Sequence, residues 1–195
     1  MQRLVFESTE SLSQEEFASF AAEREAAGDT SHYELLNGRV VMNPPAGYPH
    51  GRVGSKIQVL LGTFASRHDA GEVFDSSQGF ELASGDTVEP DHSFVSKERW
   101  ASMNPVVGQF LKIAPDLVVE VLSTRTASQD RGEKKAIYER NGVREYWLVD
   151  PRTRNMTVFV LRDARYDEGR VVSESERHES LVLSGLGFTV RELMP

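Results

Sequence analysis

Residues 115–122 read PDLVVEVL. A continuous apolar run of this length marks a strand covered on both faces, because only a sheet held between two layers needs no polar side. Inside the run stands one acid, Glu120. Burying an ionised carboxylate without a partner costs on the order of several kcal/mol, so the glutamate must be hydrogen-bonded, protonated or bound to a cation.

The surrounding pattern supplies the layers. HYELLNGRVVM, residues 32–42, places strand formers on either side of Asn37-Gly38, the pair best suited to positive φ in a tight hairpin turn. Beyond the breaker NPPAGYP, residues 50–67 set Val53, Ile57, Leu60, Leu61 and Phe64 on one helical stripe that packs against a sheet. Residues 11–27, rich in Glu and Ala after the possible caps Ser11 and Ser13, read as a surface helix. EVFDSSQGFEL and TVEPDHSFV predict short strands, and KERWASMNP a helical turn. Residues 131–141 predict a helix closed by Gly142, followed by a buried strand in EYWLVD. Strand, helix, strand over residues 117–149 implies a crossover between parallel strands. TVFVLRD, RVVSESE, LVL and FTV predict antiparallel strands at the end of the chain. The expected fold class is therefore α/β, with a hairpin before the central unit and antiparallel strands after it.

A length of 195 residues suits one domain spanning 1–195. The chain has no cysteine, which excludes disulfides, thiolate nucleophiles and cysteine zinc sites and allows a reducing, cytoplasmic location. MQRLVFESTESLSQEEF lacks the basic start and apolar core of a leader, so neither secretion nor membrane insertion is expected. The formal net charge of -8 opposes non-specific, charge-driven nucleic-acid binding. Metal-dependent nucleases nonetheless gather carboxylates to hold cations, and the local field matters more than the total. Residues 125–145 carry a surplus of only two positive charges, too few to define a DNA groove. Other chemistries fail on spacing, since the chain contains neither HExxH nor GxSxG, and GRVGSK is a poor phosphate loop.

Alternation along the strand puts Asp116, Val118, Glu120 and Leu122 on one face. A second Pro-Asp pair occurs at Pro90-Asp91, ahead of another strand-like run. If those strands are neighbours, Asp91 and Glu120 come within reach of one hard divalent cation. Their mutual repulsion then predicts a raised pKa in at least one of them before the cation arrives. On the following helix Lys134 shares a face with Ile137, Tyr138 and Asn141, whereas Lys135 lies with Glu139 on the solvated side. An ammonium at Lys134 could orient an attacking water and neutralise charge developing at phosphorus. The structural alternatives are an ion pair from Glu120 to Arg125 or Arg131, and a Lys134 that merely extends from an apolar face to solvent. Asp116 reads as shaping the start of the strand, Asp150 as a turn residue, and Tyr138 and Trp147 as core.

HYELLNGRVVMNPP, EPD, PDLVVEVLSTRT and DRGEKKAIYERNGVREYWLVDP, in that order, resemble the Uma-type restriction-endonuclease-like family of the PD-(D/E)XK nuclease superfamily. The resemblance runs from about Tyr33 to Val160, with GVREYWLVDP its most specific block. It implies a mixed sheet flanked by helices and a Mg²⁺- or Mn²⁺-dependent endonuclease acting on nucleic acid, with DNA the expected substrate and a homodimer the expected assembly. Asp91 and Glu120 would be the metal ligands and Lys134 the catalytic lysine. Glu34 would add a metal or water contact, and His50 a phosphate contact. One position departs from the superfamily pattern: lysine usually stands two residues after the acid, and here that place is Leu122. The resemblance implies that the lysine has moved to the next helix. The competing expectation is a nuclease-fold module that no longer cuts and serves in binding or assembly.

Overall fold

The computed structural model describes residues 6–195 apart from positions 9 and 44, with the side chains of 6 and 7 left aside. Residues 1–5, part of the segment expected to lack a leader, lie outside the described residues. Among the described residues no helix is long and apolar enough to cross a membrane.

After the short strand β1 (Phe6–Glu7), helix α1 (Gln14–Ala26) begins at Ser13. There the Ser13 hydroxyl accepts from the Glu16 amide while the Glu16 carboxylate accepts from the Ser13 amide. This reciprocal cap satisfies donors that the first turn leaves open. Strands β2 (His32–Leu36) and β3 (Arg39–Asn43) form the expected hairpin, with φ of 50° at Asn37 and 79° at Gly38. Helix α2 (His50–His68) buries Val53, Ile57, Leu61 and Ala65. Strands β4 (Gly71–Asp75), β5 (Phe80–Glu81), β6 (Thr87–Val88) and β7 (His92–Ser96) lead to the short helix α3 (Lys97–Ala101) and the central strand β8 (Leu117–Val121).

The helix expected over 131–141 differs in its first half. It starts earlier, as α4 (Ala127–Gln129), passes through a π-helical turn at Asp130–Lys134, and continues as α5 (Lys135–Arg140). The earlier start follows from Ser123, whose hydroxyl accepts from the amides of Arg125 and Thr126 and so turns the chain directly after β8. Gly142 closes the segment at φ 80°.

Strands β9 (Glu145–Asp150), β10 (Asn155–Arg162), β11 (Arg165–Tyr166), β12 (Arg170–Ser173), β13 (Arg177–Glu179) and β14 (Gly187–Thr189) complete the chain. The expected LVL strand at 181–183 is absent. The amides of Leu181 and Val182 instead donate to the buried carboxylate of Glu145, at 3.0 Å each, so they have no donors left for a ladder.

The main sheet runs β11-β10-β9-β8-β7-β4, with β12 also beside β10. Its β8–β9 pairing is parallel and the others are antiparallel, as a mixed sheet requires. Helix α2 covers one face, packing on Leu117, Val119, Val121, Trp147 and Val149. The other face, carrying Val118, Tyr146 and Leu148, is covered by Ile137 and Tyr138 of α5 and by Leu36, Val41 and Val88 of a second sheet ordered β1-β3-β2-β6-β5. The apolar run of β8 is thus explained by burial on both sides. Glu120 points to the face shared with the second sheet, and there the site lies.

Candidate active site

Three chain segments meet at this face. The β7–β8 ladder ends with His92 opposite Val119, and one residue further along stand Asp91 and Glu120. Each acid reaches backbone of the other's strand or its lead-in: the Val121 amide donates to Asp91 Oδ2 at 2.7 Å, and the Asp91 amide points at Glu120 Oε2 at 3.4 Å. From the π turn, Lys134 Nζ lies 2.6 Å from Glu120 Oε1 and 2.9 Å from Glu34 Oε1. Hairpin strand β2 delivers Glu34, whose Oε1 also accepts from the Glu89 amide and whose Oε2 accepts from Asn43 Nδ2. His50, at the start of α2, places Nε2 at 3.0 Å from Asp91 Oδ2.

All five residues singled out in the sequence therefore come together. They line, or lie directly behind, a cavity of about 320 Å³ whose walls include His32, Asn43, Ser123 and Asp130. The arginines considered as partners for Glu120 do not take that role, since Arg131 pairs with Asp150 and Glu120 pairs with Lys134. Lys134 does not extend to solvent, its side chain being 3% exposed. Asp116 shapes the start of β8 as expected, accepting from the Ser96 amide and pairing with Arg99. Asp150 accepts from the amides of Arg152 and Thr153 in its turn.

The electrostatics follow from one buried cation among several acids. Burial opposes the Lys134 charge, but Glu120, Glu34 and Asp130 outweigh it and hold the ammonium well above the ordinary lysine range. Burial pushes Glu120 well above the usual carboxylate range. Lys134 pulls it back, and the charges of Asp91, Asp130 and Glu34 add to the rise. The expected raised acid is therefore Glu120, and desolvation is a larger cause than repulsion. Burial also works against Asp91, yet the bond and charge of His50, the Val121 amide and Lys134 hold it below its ordinary value. Burial disfavours charge on His50, and Asp91 more than reverses this.

Two further members were not read from the sequence. Tyr138, expected as core, is buried but also donates its hydroxyl to Glu120 Oε1 at 2.8 Å. Asp130, 3% exposed in the π turn, is raised to about 6, chiefly by burial. Its place four residues before Lys134 on a helical stretch was the available signal, because such pairs share a face.

Among the described residues no three His, Cys, Asp or Glu side chains converge as they stand on one metal position. The Lys134 ammonium lies between Glu34 and Glu120. The donor set still fits Mg²⁺, which keeps several waters and is held by one or two carboxylates. Among the described residues Asp91 is bonded through Oδ2, to His50 and Val121, and Glu120 Oε2 has only the long contact with the Asp91 amide. Each acid thus retains an oxygen for a cation at the cavity wall.

The mixed sheet flanked by helices is of the restriction-endonuclease-like class. The chain belongs to the Uma2 family, described as "Putative restriction endonuclease", whose profile matches residues 15–191. It is similar in fold to the crystal structure of a "putative nuclease belonging to DUF820" from Anabaena variabilis, with a TM-score of 0.70 and 16% identity, over 83% of this chain and 88% of that one. No protein of curated function matches it.

Proposed function

We propose that this protein is a Mg²⁺-dependent endonuclease that hydrolyses phosphodiester bonds in DNA. The observation that carries this reading is the convergence of Asp91, Glu120 and Lys134, drawn from three segments, with Nζ of Lys134 2.6 Å from Glu120. Asp91 and Glu120 would hold the cation, which when bound polarises a phosphoryl oxygen and lowers the pKa of a coordinated water.

The residues do the positioning. Lys134, held as an ammonium, cannot serve as a base; it orients the attacking water and offsets negative charge gathering on phosphorus. The oxygens of Glu34 are already engaged by Lys134, Asn43 and the Glu89 amide, so Glu34 fixes the lysine rather than completing the cation's shell. Tyr138 steadies Glu120 from below. His50 holds Asp91 in place and keeps the rest of its ring for a phosphate at the cavity mouth. Leu122, where a lysine is usual, packs in the core, and Lys134 reaches Glu120 from the helix instead. This supports the active enzyme over the non-cutting module.

Plasmid nicking tests the reading. The purified protein is expected to nick supercoiled DNA only with Mg²⁺ or Mn²⁺, and Glu120→Gln to lower the rate about a hundredfold, as for loss of one group that stabilises a transition state. Equal cleavage by the variant, or cleavage unchanged by chelator, would overturn the assignment.

A further inference from the structure

A second imidazole, His32, lines the same cavity. Alternation on β2 puts it on the face of Glu34, two residues on, and hairpin pairing sets it opposite Asn43. Its Nδ1 lies 2.8 Å from Glu89 Oε2, and the Glu89 amide in turn donates to Glu34 Oε1. The arrangement parallels His50 with Asp91, because Glu89 and Asp91 stand two apart in the segment Glu89-Pro90-Asp91.

The cations at the cavity are not equally available. Lys134 is 3% exposed and engaged by Glu34 and Glu120, and the His50 side chain is 22% exposed. That of His32 is 49% exposed, and among the described residues its ring is bonded at Nδ1, to Glu89, and not at Nε2. His32, Glu89 and Thr30 also line a second, larger groove of about 960 Å³ that runs between α1 and the segment around Phe110. His32 is therefore shared by the walls of both spaces.

We infer that His32 is a substrate-binding residue that holds a phosphate next to the one cut, as the nucleic-acid strand leaves the cavity for the larger groove. The inference rests on the reading that the cavity takes a phosphodiester. With Glu89 accepting at Nδ1, a ring protonated at both nitrogens offers Nε2–H to a phosphate oxygen as a charge-assisted donor. Glu89 first, with Glu34 and Asp91 adding their charge, raises the His32 pKa against the opposing effect of burial. Of the acids lining the larger groove, Glu89 pairs with His32, Asp29 with Arg24 and Glu81 with Lys112, while Glu15 and Glu25 on α1 have no ion pair among the described residues.

The test measures anisotropy of a short fluorescent single-stranded oligonucleotide, without divalent cation, over a range of salt. His32→Ala is expected to weaken binding roughly tenfold and to reduce the slope of log affinity against log salt by about one phosphate contact. His32→Lys should restore both, and His32→Gln should not. In Mg²⁺ the alanine variant should raise KM with kcat little changed. Wild-type affinity and slope in His32→Ala would overturn the inference, and if wild-type nicking persists they leave the nuclease reading intact. Loss of binding in His32→Ala from a wild type that never nicks would support the phosphate contact and remove the enzyme.

Discussion

Replacing Lys134 with methionine should destabilise the protein by about 3 to 5 kcal/mol near pH 8, the cost of removing one partner from a buried ion pair. Lys134 is 3% exposed, and its partners Glu34 and Glu120 are 0% and 4% exposed, so neither acid can turn to water when the ammonium goes. The loss should depend on pH. Burial already raises Glu120 above its unfolded value, and removing the cation that opposes the rise lifts it further. A carboxyl raised in the folded state holds a proton that the unfolded chain releases, so its contribution to stability falls as pH rises from the unfolded to the folded pKa. The variant should therefore be closest to wild type in mild acid and furthest from it in base. Urea denaturation at both ends of that range checks this, and Glu120→Gln added to Lys134→Met should recover part of the loss. A deficit under about 1 kcal/mol at every pH would show that the acids do not depend on the lysine.

The second large effect lies away from the cavity. Glu145, 0% exposed on β9, accepts from Trp147 Nε1, His178 Nε2, Ser180 Oγ and the amides of Leu181 and Val182. Glu145→Ala strands these donors inside the protein and should cost about 3 to 5 kcal/mol, since each unsatisfied buried group costs roughly 1 to 3 kcal/mol and some will find water. Burial raises the Glu145 pKa, but His178, Trp147, the Val182 amide and Ser180 outweigh it, and the net position is below the ordinary carboxylate. A group depressed in this way stabilises fully above its unfolded pKa and loses that contribution as pH falls through the folded value. Wild type should accordingly lose stability in acid below about pH 4.5 more steeply than Glu145→Gln. Thermal melts across that range measure it. An alanine variant melting with wild type would mean that the segment after β13 is held by something other than this carboxylate.

Much of the site was readable because its residues obey local periodicity. An acid inside an apolar strand, a Pro-Asp pair before another strand and a lysine on the apolar face of the next helix are each visible within a few residues of chain. What escaped depends on contacts between distant segments. Nothing near Leu181 shows that its amide will serve Glu145, so LVL reads as a strand. Asp130 stood four residues before Lys134, but nothing in that spacing shows that it lines the cavity with Asp91 and Glu120. Tyr138 looks like any core aromatic until its hydroxyl meets Glu120. The pairing of His32 with Glu89 needs the hairpin and the segment before β7 to be neighbours, which no spacing in either segment announces.

Calorimetric titration of Mg²⁺ or Mn²⁺ into the purified protein, beside Asp91→Asn and Glu120→Gln variants that melt normally, tests the central claim most directly. Saturable cation binding by wild type that is lost in both variants is the predicted result. Absence of cation binding in wild type, or undiminished binding in the variants, would contradict the account.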